Sequence, residues 1–422
     1  MGRKRKSVGD GGSGDDAEQN VADADTAPVS VPKKKERKRN RKKKDAPAQV
    51  DAAEDSGGND VEEGGNGVSR GNDVDGLEEQ RGRREGAQQQ NAGRAAQAPR
   101  RTISIAFPSS IVNAVVKHEM QTLLCGQLAR AAAQFRVREI ILFEEFDEDV
   151  NMIDFTRPNT AASEASAFIK LLLEYIETPP YLRKFFFPVS DDLRYVGLLI
   201  PLEAPHHLKI NELLRFREGV VVPQGFRQGD SIQDAMNGST SKTSKFVELG
   251  LRFPMRLRSA MPMGTRVTAD FGENDLFSMP SSRFNNLVLT AASREDAEQA
   301  TGAYWGYKVK VVTSLSRLLD EARRSSAYDL IIGTSDEAET IMNTSSVPRS
   351  FDHALVVFGG LRGLRHAAAS DAVLVKRGMI DERVPELFDM WVNTIPRQGT
   401  QSVRTEEAIP ITLATLAHNF ET

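Results

Sequence analysis

Aromatic and large aliphatic residues are nearly absent from the first hundred positions of this 422-residue chain. The first aromatic residue is Phe107, and Leu77 is the only leucine or isoleucine in residues 1–100. Such a segment cannot bury enough apolar surface to offset the backbone entropy lost on folding, so we predict a disordered tail. All 20 Phe, 6 Tyr and 2 Trp lie beyond it, which is ample for a sizeable core.

Cysteine, metal-ligand spacings and long apolar runs are missing as well. Cys125 is the only cysteine, which excludes an intramolecular disulfide and a cysteine-rich zinc site. No His-Glu-x-x-His spacing occurs, so we expect no metal. No apolar run of about 18 residues exists, and the charged N-terminus has no apolar segment, so we expect neither a membrane span nor a secretory signal.

The charges of the tail are arranged in blocks. Residues 1–100 hold 20 Lys/Arg and 19 Asp/Glu, and residues 33–44 alone hold ten basic residues and one acidic residue. A run this dense predicts a nuclear or nucleolar address or an RNA-binding arm, with Lys33, Arg37 and Lys42 as candidate RNA contacts. The alternative is a tail that is merely solvated.

Alternating and helical patterns begin just after the tail. Residues 102–108 and 139–145 have the apolar pattern of strands, and residues 111–135 between them carry apolar side chains on one helix face. A strand, a helix and a strand over about 40 residues predict a βαβ unit in a parallel sheet. A second helix is predicted over 163–177 and a strand over 195–202.

Gly, Ser, Thr and short β-like runs dominate residues 219–283. This texture predicts a small inserted barrel of the OB type, a fold that often contacts nucleic acid, with a mobile loop at 225–245. Beyond it the α/β pattern resumes and ends in an apolar helix. Its Ile409, Ile411, Leu413 and Leu416 are more apolar surface than a free helix could leave in water, so we expect a second subunit to cover them. The predicted domains are therefore a tail (1–100), an α/β body (101–218 and 284–422) and an inserted barrel (219–283).

Three apolar strands of the body end in loops of small polar residues. These loops contain Gly333–Ser335, Gly359–Gly360 and Asn393–Gln401. Ligands of open parallel sheets bind outside the carboxyl ends of the strands, so the three loops predict one ligand crevice. Ordinary turns are the alternative. Neither the G-x-G-x-x-G dinucleotide pattern nor the G-x-x-x-x-G-K-S/T phosphate loop is present.

Several long blocks, in order, resemble a known family. The blocks are SIAFPSSIV, GQLARAAAQF, EIILFEE, PLEAPHH, FREGVVV, AYWGYKVKV, YDLIIGTS, HALVVFGGL and VNTIPRQGTQSVRTEEAI. They are similar to the SPOUT-class RNA methyltransferases related to the human centromere-associated protein 32, over roughly residues 101–420. The resemblance implies a parallel α/β sheet with a C-terminal trefoil knot, an inserted OB-like domain, bound S-adenosylmethionine and a homodimer.

The resemblance also assigns residues of this chain to the site. Arg404 and Glu406 are the candidates for catalysis. The alternative for both is helix entry, with Thr405 as the N-cap and with Glu406 and Glu407 complementing the helix dipole. Glu337 stands where relatives have a basic residue, which makes the role of that loop an open question. The residues implied to bind the cofactor are Thr334, Glu337, Gly359, Gly360, Asn393, Thr394, Ile395, Gln398, Gly399 and Ser402.

Other polar and aromatic residues have a structural and a functional interpretation. Arg217, where the body meets the insert, is a candidate RNA contact or an exposed ion-pairing hinge. Adjacent side chains diverge, so His206 and His207 are not expected to share a metal or an acid–base role, and they are interpreted as turn packing or an RNA contact. Trp305 and its neighbouring tyrosines are more often core residues than stacking platforms.

The expected function is S-adenosylmethionine-dependent methylation of an RNA base, with ribosomal RNA as the expected substrate and uridine N3 as one candidate atom. The expected setting is a homodimer in the nucleus or nucleolus. The alternative is a non-catalytic RNA-binding or scaffold protein that retains the knotted fold.

The composition of the tail gives a first prediction. Deletion of residues 1–100 should leave the midpoint of thermal unfolding almost unchanged, because this segment offers little apolar surface to a core. Differential scanning calorimetry of the full and truncated chains measures it. A broadened, less cooperative transition in the truncated chain would move the boundary of the folded part.

Overall fold

The computed structural model describes residues 101–145, 163–227, 229–239, 241–325, 327–342, 348 and 351–417. The predicted tail, and with it Lys33, Arg37 and Lys42, lies outside the described residues.

The described residues form eleven strands and ten α-helices. The strands are β1 Thr102–Pro108, β2 Glu139–Phe143, β3 Phe216–Val222, β4 Thr243–Glu248, β5 Met255–Pro262, β6 Arg266–Asp270, β7 Val288–Ala292, β8 Lys308–Val312, β9 Leu330–Thr334, β10 His353–Val357 and β11 Met390–Val392. The α-helices are α1 His118–Gln134, α2 Glu164–Glu177, α3 Arg183–Phe186, α4 Ile232–Asn237, α5 Ser281–Asn285, α6 Arg294–Thr301, α7 Leu315–Arg324, α8 Gly363–Ala369, α9 Ala372–Lys376 and α10 Thr405–Ala417. Short 3₁₀ helices span Ser109–Ala114, Asp191–Leu193, Val196–Leu198 and Asp381–Leu387.

Six strands form one sheet in the order β11-β9-β10-β1-β2-β8, and every neighbouring pair is parallel. The parallel α/β sheet is therefore confirmed, including the β1-α1-β2 unit. Successive side chains of β10 contribute in turn to the cores on the two faces, as Val356 does on one face and Val357 on the other. A parallel sheet needs this cover on both faces.

Helices α1, α2 and α10 cover one face of the sheet. Leu124 and Leu128 of α1, at the predicted helical spacing, pack in the core of this face, and so do Ile409, Leu413 and Leu416 of α10. The opposite face is covered by α7, α8, α9 and the 3₁₀ helix that precedes β11.

The C-terminal helix does not expose the apolar surface that its sequence suggests. Ile409 and Leu413 are fully buried within the chain, and of this apolar set only Ile411 is substantially exposed, at 41%. The expectation that this helix needs a second subunit to cover its leucines and isoleucines is therefore wrong, because α1 already covers them.

Strands β3 to β7 form a small closed barrel in the order β3-β4-β5-β7-β6. Four of its five pairings are antiparallel, and β5 pairs with β7 in parallel. Val221, Val247 and Leu257 lie in its core. The strands run from Phe216 to Ala292, beyond both ends of the predicted insert (219–283).

Two local predictions differ from the structure. Residues 195–202 contain a 3₁₀ turn instead of a strand, and Leu198 and Ile200 are exposed rather than paired in a sheet. The segment 225–245, predicted as a loop, contains α4, whose N-cap Ser231 accepts a hydrogen bond from the Asp234 amide.

A buried group of charges joins the body to the barrel. The Arg266 guanidinium of β6 lies 2.6 Å from the Glu177 carboxylate of α2 and 2.7 Å from the Glu218 carboxylate of β3. The indole N–H of Trp305 also donates to Glu218, at 2.7 Å. Burial raises the pKa of Glu177, but the charge of Arg266 and the hydrogen bond from His206 outweigh it and hold that pKa well below its usual range.

Removal of the central cation should destabilise the protein. Arg266→Met takes the shared cation from two buried carboxylates, of which Glu177 keeps only the longer contact to Arg294 at 3.4 Å. We therefore expect the free energy of unfolding to fall by about 3–5 kcal/mol in urea titrations. The loss should be largest at neutral pH and shrink as the pH falls below about 4.3, where an unfolded glutamate takes up its proton.

Arg215→Met is the matched control. Arg215 pairs with Asp270 at 3.0 Å, but its side chain is 39% exposed, so its removal should cost less than about 1 kcal/mol. Equal losses in the two variants would contradict the structural role of the buried group.

Candidate functional site

The loops after β9, β10 and β11 meet at one edge of the sheet. Strand β9 lies between β10 and β11, and all three run parallel, so their carboxyl ends are adjacent. The predicted crevice loops, with Thr334, Gly359 and Asn393, follow these three ends. The structure therefore brings together the loops that the sequence predicts to form one crevice.

Asn393 ties the loop after β11 to the loop after β9. Its side-chain amide donates to the Asp336 carbonyl at 2.8 Å, and its side-chain oxygen accepts from the Ile395 amide at 2.9 Å. Its backbone N–H donates to the Thr340 carbonyl at 2.8 Å. Asn393 is thus a clamp that holds the two loops together. Because the Ile395 N–H is already bonded to Asn393, a main-chain contact from Ile395 to a ligand would be made by its carbonyl.

Threonines hold the other parts of the edge. The Thr334 hydroxyl donates to the Val357 carbonyl at 3.1 Å, and the Thr412 hydroxyl donates to Thr394 at 3.0 Å. The Thr405 hydroxyl donates to the Gly359 carbonyl at 2.8 Å. This last bond fixes the start of α10 against the loop after β10, so Arg404 and Glu406 lie on either side of that contact.

Arg404 and Glu406 interact with each other at 3.6 Å. The Arg404 side chain is 46% exposed and the Glu406 side chain 11% exposed. Thr405 is the first helical residue and not the N-cap, and Glu407 accepts from the Arg404 amide. Glu406 lies in the first turn of α10, where a carboxylate complements the helix dipole, and it is a partly buried partner of Arg404.

The glycines of these loops differ in the space that is available for a side chain. A Cβ at Gly359 would lie 2.5 Å from the backbone of Gly363 and Leu364, so this position is closed by the chain itself. A Cβ at Gly360 would lie 3.0 Å from Glu145, whereas a Cβ at Gly399 meets nothing within 4 Å. Gly399 thus borders open space, while Gly359 does not.

Glu337 is neutralised within the chain. Its carboxylate, 66% exposed, pairs with Arg365 of α8 at 2.9 Å, and Arg365 also lies 3.7 Å from Glu382. The acidic residue at this position therefore has a cation of the same chain beside it. The pairing of Glu337 with Arg365 is a structural role for the acidic side chain.

Two further carboxylates lie at the same edge of the sheet, and sequence reasoning missed them. Glu144 is buried at the end of β2 and accepts hydrogen bonds from Ser109, at 2.6 Å, and from Ser163, at 2.9 Å. Glu145 accepts from the Ser110 hydroxyl and faces Gly360. In the sequence, the signal for these two carboxylates is the pair of acidic residues that directly follows the apolar strand residues in EIILFEE.

Arg217 is not available to RNA. It is 1% exposed, and its guanidinium donates to the carbonyls of Leu249, at 2.6 Å, and Glu212, at 2.8 Å. Both interpretations offered by the sequence, an RNA contact and an exposed hinge, are therefore wrong. The first barrel strand is buried along its whole length, and a guanidinium there must find its partners inside the protein.

The aromatic and histidine residues are structural, as the sequence favoured. Trp305 and Tyr307 are 2% exposed, and the Tyr307 hydroxyl donates to the Leu173 carbonyl at 2.9 Å. His206 and His207 lie 3.0 and 2.7 Å from the Glu177 carbonyl. Burial and the neighbouring His206 lower the pKa of His207 to about 3, so His207 is neutral at physiological pH.

No group of three or more His, Cys, Asp or Glu among the described residues could hold a metal ion. Within the same described ranges, no helix has the length and apolarity needed to cross a membrane.

A family model described as "Putative RNA methyltransferase" matches residues 102–416, and the chain belongs to this family. Two relatives named 28S rRNA (uridine-N(3))-methyltransferase are each 38% identical to it. The one from Homo sapiens matches 75% of this chain and 77% of its own, and the one from Mus musculus matches 78% of each. A relative of the same name from Drosophila melanogaster is 34% identical over 76% of this chain. This chain spans 62% of the length of the Drosophila protein.

The contrast between the two glycines gives a prediction. Gly359→Ala forces backbone atoms apart and should cost about 1–3 kcal/mol of stability, whereas Gly399→Ala should cost almost nothing. Urea titration of the two variants measures the difference. Gly359→Ala as stable as the parent protein would show that the loop after β10 yields easily.

Proposed function

We propose that this protein is an S-adenosylmethionine-dependent RNA methyltransferase that methylates N3 of a uridine in the RNA of the large ribosomal subunit. The observation that carries the proposal is 38% identity, over three quarters of the chain, to proteins named for that reaction. The loops at the carboxyl edge of the sheet, which side-chain hydrogen bonds hold together, support a ligand site at that edge.

The cofactor is proposed to lie across the loops after β9, β10 and β11. Gly399 borders open space, and Gly360 brings the backbone of its loop close to the strand ends of β1 and β2. The backbone groups of these loops suit an adenine and a carboxylate, which are recognised mainly by N–H and C=O groups. The residues proposed to hold it are Thr334, Gly359, Gly360, Asn393, Thr394, Ile395, Gln398, Gly399 and Ser402.

When bound, S-adenosylmethionine supplies an electrophilic methyl group on a good leaving group. The chain must then position the uracil ring, exclude water and take the N3 proton. Glu406 is proposed to accept that proton, because its carboxylate is only 11% exposed and follows Thr405, which bonds to the loop after β10. Arg404, more exposed, is proposed to bind an RNA phosphate or a uracil oxygen.

A trefoil knot is proposed for the C-terminal part. The connection from β9 to β10 places Met342 and Phe351 on the same face of the sheet as α10. The chain after β11 pairs with this connection, where the Met342 amide donates to the Asn393 carbonyl at 2.9 Å, and then reaches Gly359 through Thr405. Passage of the last segment between the connection and the sheet accounts for both contacts.

The remaining expectations from the resemblance are also proposals. The barrel is proposed to be of the OB type, and its strand order β3-β4-β5-β7-β6 supports this. The finer relation to the centromere-associated SPOUT proteins, the homodimer and the nuclear or nucleolar location rest on the sequence blocks and the basic run alone. The boundaries 101–218, 219–283 and 284–422 stay part of the same proposal.

Methylation mapping tests the reaction. Ribosomal RNA from cells with and without the protein should differ at one N3-methylated uridine, and Glu406→Gln should fail to restore that mark. A non-catalytic scaffold, the competing function, would leave every modification in place. It would also transfer no methyl group from labelled S-adenosylmethionine to ribosomal RNA.

The clamp residue gives a prediction about cofactor affinity. Asn393→Ala removes the bonds to Asp336 and Ile395 and should weaken S-adenosylhomocysteine binding by about 1–3 kcal/mol in calorimetry. Asn286→Ala is the control, since its side chain also donates to a carbonyl at 2.8 Å but lies outside the three loops. Unchanged affinity of Asn393→Ala would remove Asn393 from the site.

Arg404 should separate binding from transfer. If it contacts RNA, Arg404→Ala should keep cofactor affinity within about 2-fold while methyl transfer falls at least about 10-fold, the effect of losing one charge-assisted contact. Calorimetry and a transfer assay on the same preparation measure both. An equal loss of both quantities would place Arg404 against the cofactor instead.

A further inference from the structure

The barrel carries a cleft far from the loops of the proposed cofactor site. It lies between the connection from β3 to β4, which contains α4, and the outer face of β4 and β5, and its volume is about 890 Å³. We call it the barrel cleft. Its lining includes Gln224, Ser241, Lys245, Phe246, Arg256 and Met263.

The cations of this barrel face have no partner among the described residues. Lys245 and Arg256 line the cleft, and Arg258 is exposed two residues further along β5. In this part of the chain the three side chains make no ion pair and no hydrogen bond. Asp230, an acidic residue of the lining, is bonded to the Arg227 amide at 2.8 Å. Two cations against one carboxylate leave the cleft lining with a net positive charge.

Other arginines of the barrel are compensated, which makes the contrast informative. Arg266 lies between two carboxylates, Arg215 pairs with Asp270, and Arg217 donates to main-chain carbonyls. Arg256 and Arg258 have the same side chain on β5 and receive none of these contacts from the described residues.

Aromatic surface lies beside these charges. Phe253, in the turn between β4 and β5, is 56% exposed, and the Arg252 guanidinium lies 5.5 Å from its ring centroid. Phe246, half-buried, is directly opposite Arg256 in the β4–β5 pairing. Cations that follow a backbone, together with an exposed ring face, form the arrangement that binds single-stranded nucleic acid.

We propose that the barrel cleft binds a single-stranded segment of RNA. Lys245, Arg256 and Arg258 contact its phosphates, and a base stacks on Phe253. The two-stranded outer face beside the first loop of a five-stranded barrel of this strand order is a surface on which oligonucleotides bind. The inference rests on the proposed function only in taking RNA as the substrate, and it adds a second RNA site away from the methyl-transfer site.

The test measures RNA binding by the full chain as a function of salt. The probe is a fluorescent oligouridylate of about 12 nucleotides, within the range that one such barrel covers. Each lost phosphate contact should reduce the slope of log affinity against log salt by about one, so Arg256→Gln should lose about one unit and Arg256→Gln/Arg258→Gln about two. Lys376→Gln in α9, an exposed cation with no ion pair among the described residues, should lose none.

A neutral substitution tests the stacking contact. Phe253→Ala should weaken binding roughly 5- to 150-fold, the range for one stacked base, without a change in the salt slope. The tail contributes equally to every variant, so the differences report the cleft. These exposed substitutions should leave the thermal midpoint unchanged, which calorimetry checks.

Unchanged salt slopes in the double arginine variant would overturn the proposal. So would equal displacement of the RNA by polyglutamate of matched charge together with an inert Phe253→Ala, because the cleft would then be a site for acidic peptides. Methyl transfer from labelled S-adenosylmethionine by the parent protein is measured in parallel. If methyl transfer occurs but the salt slopes do not change in the arginine variants, only the RNA site in the barrel cleft is ruled out. If the salt slopes change but no methyl transfer occurs, only the proposed reaction is ruled out.

Discussion

The position of the barrel on the body depends on one buried guanidinium. Arg266 comes from the barrel, and the carboxylates on either side of it come from the body helix α2 and from the first barrel strand. Each charge alone would be costly to bury, and together they are tolerated only in this arrangement. The main chain beside them is fixed too, because His206 and His207 both bond the Glu177 carbonyl. The orientation of the barrel, and hence of its cleft, is therefore set by electrostatics as well as by packing.

Much of the architecture was predictable because it depends on local periodicity. The β1-α1-β2 unit, the strands at 308–312, 330–334 and 353–357 and the final helix follow from patterns within a few residues. The structure of residues 195–202 was not predictable, because an apolar run forms a strand of a sheet only where a distant strand is available to pair with it. The closure of the barrel by parallel pairing of β5 with β7 is another long-range event that no local pattern encodes. The role of α10 was misjudged for the same reason, because its cover, α1, lies nearly three hundred residues away.

The candidate site shows the same division. Small polar residues directly after apolar strands identified the three loops, since strand ends are visible in sequence. What each residue does there was hidden, because Asn393 works through the carbonyl of Asp336 and Gly359 is closed by Gly363. Glu145 went unnoticed because only the fold brings the end of β2 next to Gly360. Sequence patterns thus located the edge of the sheet, and three-dimensional contacts assigned the roles.

Arginine in the barrel shows why burial must precede any assignment of a basic residue to RNA. Strand β3 is buried at all seven positions because the barrel interior lies on one side and the body on the other, so Arg217 has to satisfy its donors within the protein. Strand β5 alternates instead, with Met255 and Leu257 inward and Arg256 and Arg258 exposed, since only one of its faces is covered. The same side chain is therefore structural on one strand and available to a ligand on another. In the sequence the difference is visible as alternation around Arg256 and its absence around Arg217, where FREGVVV ends in three consecutive valines.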